Sequence, residues 1–106
     1  MLGQGGYPPS REDALIDAIT AIKAAAADPN ADAKLLDQAR NLHRKAQFMW
    51  DFVSAENSTG FHNPEYALKI LAESTNLARQ AQMLAAQSVN DMSLLKTGTY
   101  YQTPGQ

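Results

Sequence analysis

The two histidines of the chain, His43 and His62, are the side chains best suited to bind a metal ion, and their surroundings differ. His43 lies in the middle of a helical pattern with no second ligand one turn away, which favours a structural role. His62 lies in a glycine-containing turn just before a predicted helix, where the positive end of the helix dipole disfavours imidazolium. Neutral imidazole is the form that coordinates metals, so His62 is the candidate ligand. Histidines also occur in such turns without a metal, and that alternative stays open.

The chain contains no cysteine. This excludes disulfides, cysteine-based zinc sites, a thiol nucleophile and the covalent attachment of a c-type haem by the chain itself. The sequence also lacks a recognisable Ser/His/Asp set and a glycine-rich phosphate loop after a strand. We therefore predict no catalytic residue in this chain.

Length and charge narrow the class of protein further. The chain has 106 residues, nine basic and eleven acidic, with a formal net charge of −2. The length suits one small domain or a piece of a larger protein. The slightly acidic balance, without a Lys/Arg cluster, argues against a nucleic-acid partner. No apolar run approaches the roughly 18 residues of a membrane span, and no signal peptide is recognisable at the start.

Aromatic residues gather around the middle of the chain, at Phe48, Trp50, Phe52 and Phe61. Such a cluster can form the wall of a cofactor site. Aromatic residues at helical spacing more often pack helices together. Both interpretations stay open at this point.

The elements that position these residues are predicted to be helices, because alanine is abundant and no stretch alternates apolar and polar residues. Ser10 is a good cap for a first helix, which ends before Pro29. A second helix is expected from about Asp32 to Ala55. The turn residues from Glu56 to His62 then interrupt the pattern, and Asn63-Pro64 begin a third helix that fades after Val89.

Three apolar rows at helical spacing are predicted to form the core. In the first helix, the row is Leu15, Ile19, Ile22 and Ala26. In the second, it is Leu35, Ala39, Leu42, Ala46, Met49 and Val53. In the third, it is Ala67, Leu71, Ser74, Ala78, Ala81 and Ala85. The predicted fold is all-α, with three helices of which the last two form a long antiparallel hairpin. We divide the chain into a flexible lead-in (1–10), a helical domain (11–90) and an irregular tail (91–106).

Two neighbouring motifs resemble a known family. The first is an Ala-Gln-aromatic-x-Trp-Asp stretch that runs from Ala46 to Asp51, and the second is AENSTGFHNP, from Ala55 to Pro64. Together with the alanine- and leucine-rich helix that follows, they resemble the C-terminal helical region of the ammonia-forming, pentahaem cytochrome c nitrite reductases. The resemblance covers about residues 12 to 86.

The resemblance implies a role for His62 as the distal axial ligand of a bis-histidine haem. It implies that Phe61, Trp50 and Phe48 line that haem or pack the helices. The cofactor would be haem c, held covalently by another segment or chain through the Cys-x-x-Cys motifs that this chain lacks. The implied partners are the haem-bearing part of the reductase and a second copy, in a homodimer formed through long helices.

The function implied by the resemblance is that of a C-terminal segment or subunit of a periplasmic enzyme that reduces nitrite to ammonia with six electrons. The chain would not be catalytic on its own, because the catalytic residues of the family lie upstream of the matched region. The residues leave two alternatives open. One is a haem-free helical module that binds partner helices through its apolar rows. The other is a chain that binds haem by itself, without covalent attachment.

Overall fold

The computed structural model describes residues 11–60 and 63–96, which form three α-helices and one short 3-10 helix. The α-helices are α1 (Arg11–Ala26), α2 (Ala33–Ser58) and α3 (Pro64–Val89), and the 3-10 helix is Met92–Leu95. No strand occurs within these residues. The predicted all-α fold of three helices is thus confirmed.

Helices α2 and α3 form the predicted antiparallel hairpin. Near its middle, the Ser74 hydroxyl donates a 2.8 Å hydrogen bond to the carbonyl oxygen of Ala46. At the end away from the turn, the Asp32 backbone N–H donates to the carbonyl oxygen of Ser88. Each helix has 26 residues and is therefore about 39 Å long. Helix α1, with 16 residues, is about 24 Å long and cannot cover the whole hairpin.

Local sequence explains where the helices begin. The Asp32 carboxylate accepts hydrogen bonds from the backbone N–H groups of Lys34 and Leu35, as expected of an N-cap. Asn63 caps α3 in the same way, and Pro64 occupies the first helical position. The proposed Ser10 cap of the first helix lies outside the described residues, as does the lead-in 1–10.

The prediction that the turn begins at Glu56 is wrong, because α2 continues to Ser58. The hydroxyls of Ser58 and Thr59 donate to the carbonyl oxygens of Ala55 and Glu56, three residues earlier. Both carbonyl oxygens also accept the Thr59 backbone N–H at 3.2 Å, so the two hydroxyls add to the backbone bonds that close the last turn. Residues with turn-forming side chains therefore prolong the helix by one turn.

The core consists mainly of alanine. Among the described residues, no side chain larger than that of Ser74 is completely buried. In α2 and α3 the predicted rows hold with small shifts: Leu36 rather than Leu35 is buried, and Met49 and Leu71 are half-buried. The fully buried alanines of the two helices are Ala39, Ala46, Ala78, Ala81, Ala85 and Ala86. Such small side chains let the helices pack at close range.

The predicted row of α1 is wrong at its end, where Ala26 is exposed. The buried face is instead built on alanines, with Leu15 and Ile22 beside them; these alanines are Ala14, Ala18, Ala21 and Ala25. The side chain with the smallest volume in each turn faces the hairpin, because α1 packs closely on the alanine surface of α3.

A polar network ties α1 to α3 and to the segment after α3. The Arg79 guanidinium donates to the Asp17 carboxylate at 2.7 Å and to the Gln82 side-chain oxygen at 3.0 Å. The Gln82 amide donates in turn to the carbonyl oxygens of Leu94 and Lys96. Asp17 is almost completely buried, whereas Arg79 is about one-third exposed. The network therefore holds the 3-10 helix against the bundle.

The 3-10 helix lies within the segment that we predicted to be an irregular tail. Asp91 caps it by accepting hydrogen bonds from the hydroxyl and the backbone N–H of Ser93. Both bonds lower the pKa of the Asp91 carboxyl below its ordinary value, and the bond from the Ser93 hydroxyl has the larger effect. The carboxylate thus keeps its charge, and its capping role, until the pH falls through that lowered pKa.

Candidate functional site

The turn between α2 and α3 is short, since only residues 59–63 separate the two helices. Gly60 has a φ of +85°, in the left-handed region that side chains disfavour. A Cβ at this position would meet nothing within 4 Å. The glycine is therefore required for the backbone conformation that reverses the chain and not for a close contact.

The start of α3 is fixed on the other side of the turn. The Asn63 side-chain oxygen accepts a 3.2 Å hydrogen bond from the backbone N–H of Tyr66. Position 62 thus lies between a glycine that reverses the chain and a capped helix start. His62 and Phe61 themselves lie outside the described residues, so their roles as haem ligand and haem-packing residue stay predictions.

His43 lies in the interface between α1 and α2. Its Nε2 atom is 3.2 Å from the carbonyl oxygen of Leu15, and since a carbonyl only accepts, that nitrogen carries the proton. His43 is half-buried and joins the two helices. This contact agrees with the structural role favoured by its sequence context.

Trp50 lies in a cleft between α1 and α2, which it lines together with Leu15, Ile16, Ile19, His43 and Gln47. The indole is half-buried and packs against the core. The cleft has a volume of about 240 Å³, less than the roughly 300–1,000 Å³ of most small-molecule sites. The structure therefore shows Trp50 packing helices, and its predicted contact with haem stays untested.

Phe48 and Phe52 differ from Trp50 in pointing away from the core. Their ring centroids are 6.3 Å apart with an interplanar angle of 22°. Phe48 is 69% exposed and Phe52 is 39% exposed. From sequence, the aromatic residues were expected either to form a cofactor wall or to pack helices together, and the exposure of this pair was not predicted. Phe48 and Phe52 are each two residues from Trp50, and residues two apart on a helix lie on roughly opposite sides. Because Trp50 faces the core, both phenylalanines face away from it.

The donor groups of the described residues do not assemble a metal site. They contain no group of three or more His, Cys, Asp or Glu side chains that could hold a metal ion. None of the described helices is long and apolar enough to span a membrane. The described residues form a helical hairpin.

Comparison with known proteins gives this chain a relative. The chain is 54% identical over 54 residues to the cytochrome c nitrite reductase subunit NrfA of Nitratidesulfovibrio vulgaris. The match covers 51% of this chain and 10% of the relative, so the chain spans only a small part of that protein's length. No solved structure matches the chain.

A family comparison covers much more of the chain. The model of the cytochrome c552 family matches residues 9–104, which include all three helices and the turn. The resemblance to cytochrome c nitrite reductases that the sequence motifs indicated is thereby confirmed. From these matches we conclude that the chain belongs to the cytochrome c552 family.

Proposed function

We propose that this chain is a helical segment or subunit of a cytochrome c nitrite reductase that reduces nitrite to ammonia with six electrons. The identity to a cytochrome c nitrite reductase subunit is the observation that carries this proposal. In it, His62 serves as the distal axial ligand of one haem. The chain contributes no catalytic residue, and the enzyme is periplasmic, as the resemblance implies.

The residues of the chain fit an axial ligand and do not fit a complete haem site. The chain has no cysteine with which to hold haem c, so the covalent bonds come from another segment or chain. It has two histidines, and the Nε2 atom of His43 is engaged by the Leu15 carbonyl. His43 thus has a structural contact, and we assign the ligand role to His62, as the resemblance implies. When bound, such a haem relays electrons, and this chain's task is to hold an imidazole nitrogen toward its iron.

The turn supports this task on both sides of position 62. Gly60 supplies the left-handed conformation that reverses the chain, and Asn63 fixes the first turn of α3. The amide end of a helix carries partial positive charge, which favours the neutral imidazole that binds iron. A ligand next to a capped helix loses less conformational entropy on binding than one in a long loop.

The homodimer implied by the resemblance also belongs to this proposal. Counting along the helices from His43 and Arg79, which face α1, places the half-buried Met49, Ile70 and Leu84 toward the opposite side of the hairpin. A second hairpin packed there would complete a four-helix arrangement and bury these residues. Sedimentation of the complete enzyme measures whether it is a dimer.

Substitution of the proposed ligand tests the function. In the complete reductase, His62→Ala should remove one low-spin bis-histidine signal from the electron paramagnetic resonance spectrum. His43→Ala is the matched control, since its imidazole binds the Leu15 carbonyl, and all low-spin signals should persist. A spectrum that His62→Ala leaves unchanged would show that His62 binds no haem iron.

A further inference from the structure

Exposed apolar side chains are concentrated at one end of the hairpin. Ser74 and Ala46 mark its middle, and six residues further toward the turn on each helix lie Phe52 and Leu68. In the half that ends at the turn, the exposed large apolar residues of α2 and α3 are Phe48, Phe52, Tyr66 and Leu68. In the other half of these two helices, Met83 is the only exposed large apolar residue among the described residues.

These side chains lie on both sides of the hairpin. Trp50 faces α1, and Phe52, two residues later, is rotated by about 200° and faces away from α1. Arg79 binds Asp17 of α1, and Leu68 is eleven residues earlier, close to three full turns, so it lies on the α1 side. Tyr66 is two residues before Leu68 and therefore lies on the opposite side with Phe52.

The exposure follows from the length of α1. Near the beginning of α1, the Leu15 carbonyl contacts His43, and Ile16 lines the cleft that also contains Trp50. The beginning of α1 therefore lies near the middle of the hairpin. The last two turns of α2 and the first two turns of α3 thus project beyond it. There, Tyr66 is 40% exposed and Leu68 is 55% exposed. Apolar residues of this size clustered at one exposed end are typical of an interaction surface.

We infer that this projecting end, defined by Phe52, Tyr66 and Leu68 and here called the hairpin tip, inserts into an apolar cleft of the haem-bearing part of the reductase. A partner that lay flat on the hairpin would cover one side only, whereas the apolar residues occupy both. The inference rests on the proposed function, because it names the partner of the end that carries His62. The relative is about ten times as long as the matched region, which leaves ample chain to form such a cleft.

A second copy of this chain explains the exposed apolar residues of the hairpin tip less well. Packing of two hairpins side by side would bury the side away from α1, with Phe52 and Tyr66, and leave Leu68 exposed. Insertion into a cleft buries all three. It also brings the residues on either side of His62, Gly60 and Asn63, to the partner that holds the haem.

Cysteine labelling in the complete reductase tests this inference. The chain has no cysteine, so Phe52→Cys, Leu68→Cys or Met83→Cys each introduces a thiol that is unique within it. We expect the thiols at positions 52 and 68 to react with a maleimide roughly tenfold slower than the thiol at position 83. The same variants unfolded in urea give the intrinsic reactivity of each thiol.

Three outcomes would overturn the inference. Protection at position 52 but not at position 68 would indicate a flat interface, and rapid labelling at both would indicate a free tip. Protection at both positions that disappears on dilution would identify a second copy as the partner. The His62→Ala spectrum is measured independently, so a free tip with a lost haem signal would refute insertion and leave the ligand role intact.

Discussion

Ser74 is the residue on which the close approach of α2 and α3 can be tested. Its side chain is completely buried, and its hydroxyl bonds to the Ala46 carbonyl of the facing helix. The sequence placed Ser74 in the apolar row of the third helix, among alanines. It could not show why a serine stands there, because the acceptor lies 28 residues away.

Substitutions of Ser74 should separate the hydrogen bond from the packing. Ser74→Ala keeps the volume nearly constant and should lower the free energy of unfolding by about 1 kcal/mol, the usual worth of one hydrogen bond. Ser74→Leu adds volume between two closely packed helices and should cost about 1–3 kcal/mol more. Thr75→Ala is the control, since the Thr75 hydroxyl bonds only within its own helix. Denaturant unfolding followed by circular dichroism measures all three, and equal effects of Ala and Leu at position 74 would contradict close packing.

Asp17 and Arg79 show a limit of sequence reasoning at the same scale. The sequence identified neither residue, although Asp17 is among the most buried polar side chains. Its charge lies against α3 because Arg79, 62 residues later, reaches it with a 2.7 Å hydrogen bond. Pairs this distant in sequence carry no local signal, so only the folded chain reveals them.

At the scale of elements, the starts of the helices were predictable and one end was not. Asp32 and Asn63 cap α2 and α3 as their residue types predict. The end of α2 was placed a turn too early, because Ser58 and Thr59 were taken as turn residues. Their hydroxyls bond to carbonyl groups of the last turn, an outcome that residue type alone does not distinguish from a turn.

The turn itself depends on Gly60. Gly60→Ala should destabilise the hairpin by about 1 kcal/mol, because alanine disfavours the observed φ of +85°. Gly60→Asn should cost less, since asparagine tolerates the left-handed region, and the Cβ atom that both variants add has nothing within 4 Å. Thermal unfolding of the complete protein gives the order of stability of the two variants and the unsubstituted protein. Equal stability of the alanine and asparagine variants would show that the backbone conformation is not what Gly60 supplies.

The whole molecule is a thin helical unit with little apolar volume to bury. Its buried helix faces consist largely of alanine, and each methyl contributes only about 0.8 kcal/mol on burial. A few larger apolar residues, among them Leu15 and Leu36, are also buried. Other large apolar residues are half-buried, such as Trp50, or exposed, such as Phe48 and Leu68. This distribution suits a unit that gains stability from its partners, in agreement with the proposal that it forms part of a larger haem protein.

The candidate site could be predicted from sequence only as a motif. The Gly-Phe-His-x-Pro motif and its position between two helices were evident from residue types, and α2 and α3 lie on either side of it. The exposure of apolar residues on both sides of the hairpin tip could not be predicted from residue types, because it depends on where α1 begins along the hairpin. The length of α1 and its packing determine which apolar residues stay uncovered.

The central claim is that His62 binds a haem iron, and its most direct test is the reduction potential of that haem. Methionine in place of an axial histidine raises the potential of a c-type haem. In the complete reductase, His62→Met should therefore shift one haem potential upward and leave the others in place, and His43→Met should shift none. Redox titration followed by optical spectroscopy measures these potentials. Haem potentials that His62→Met leaves unchanged would contradict the claim.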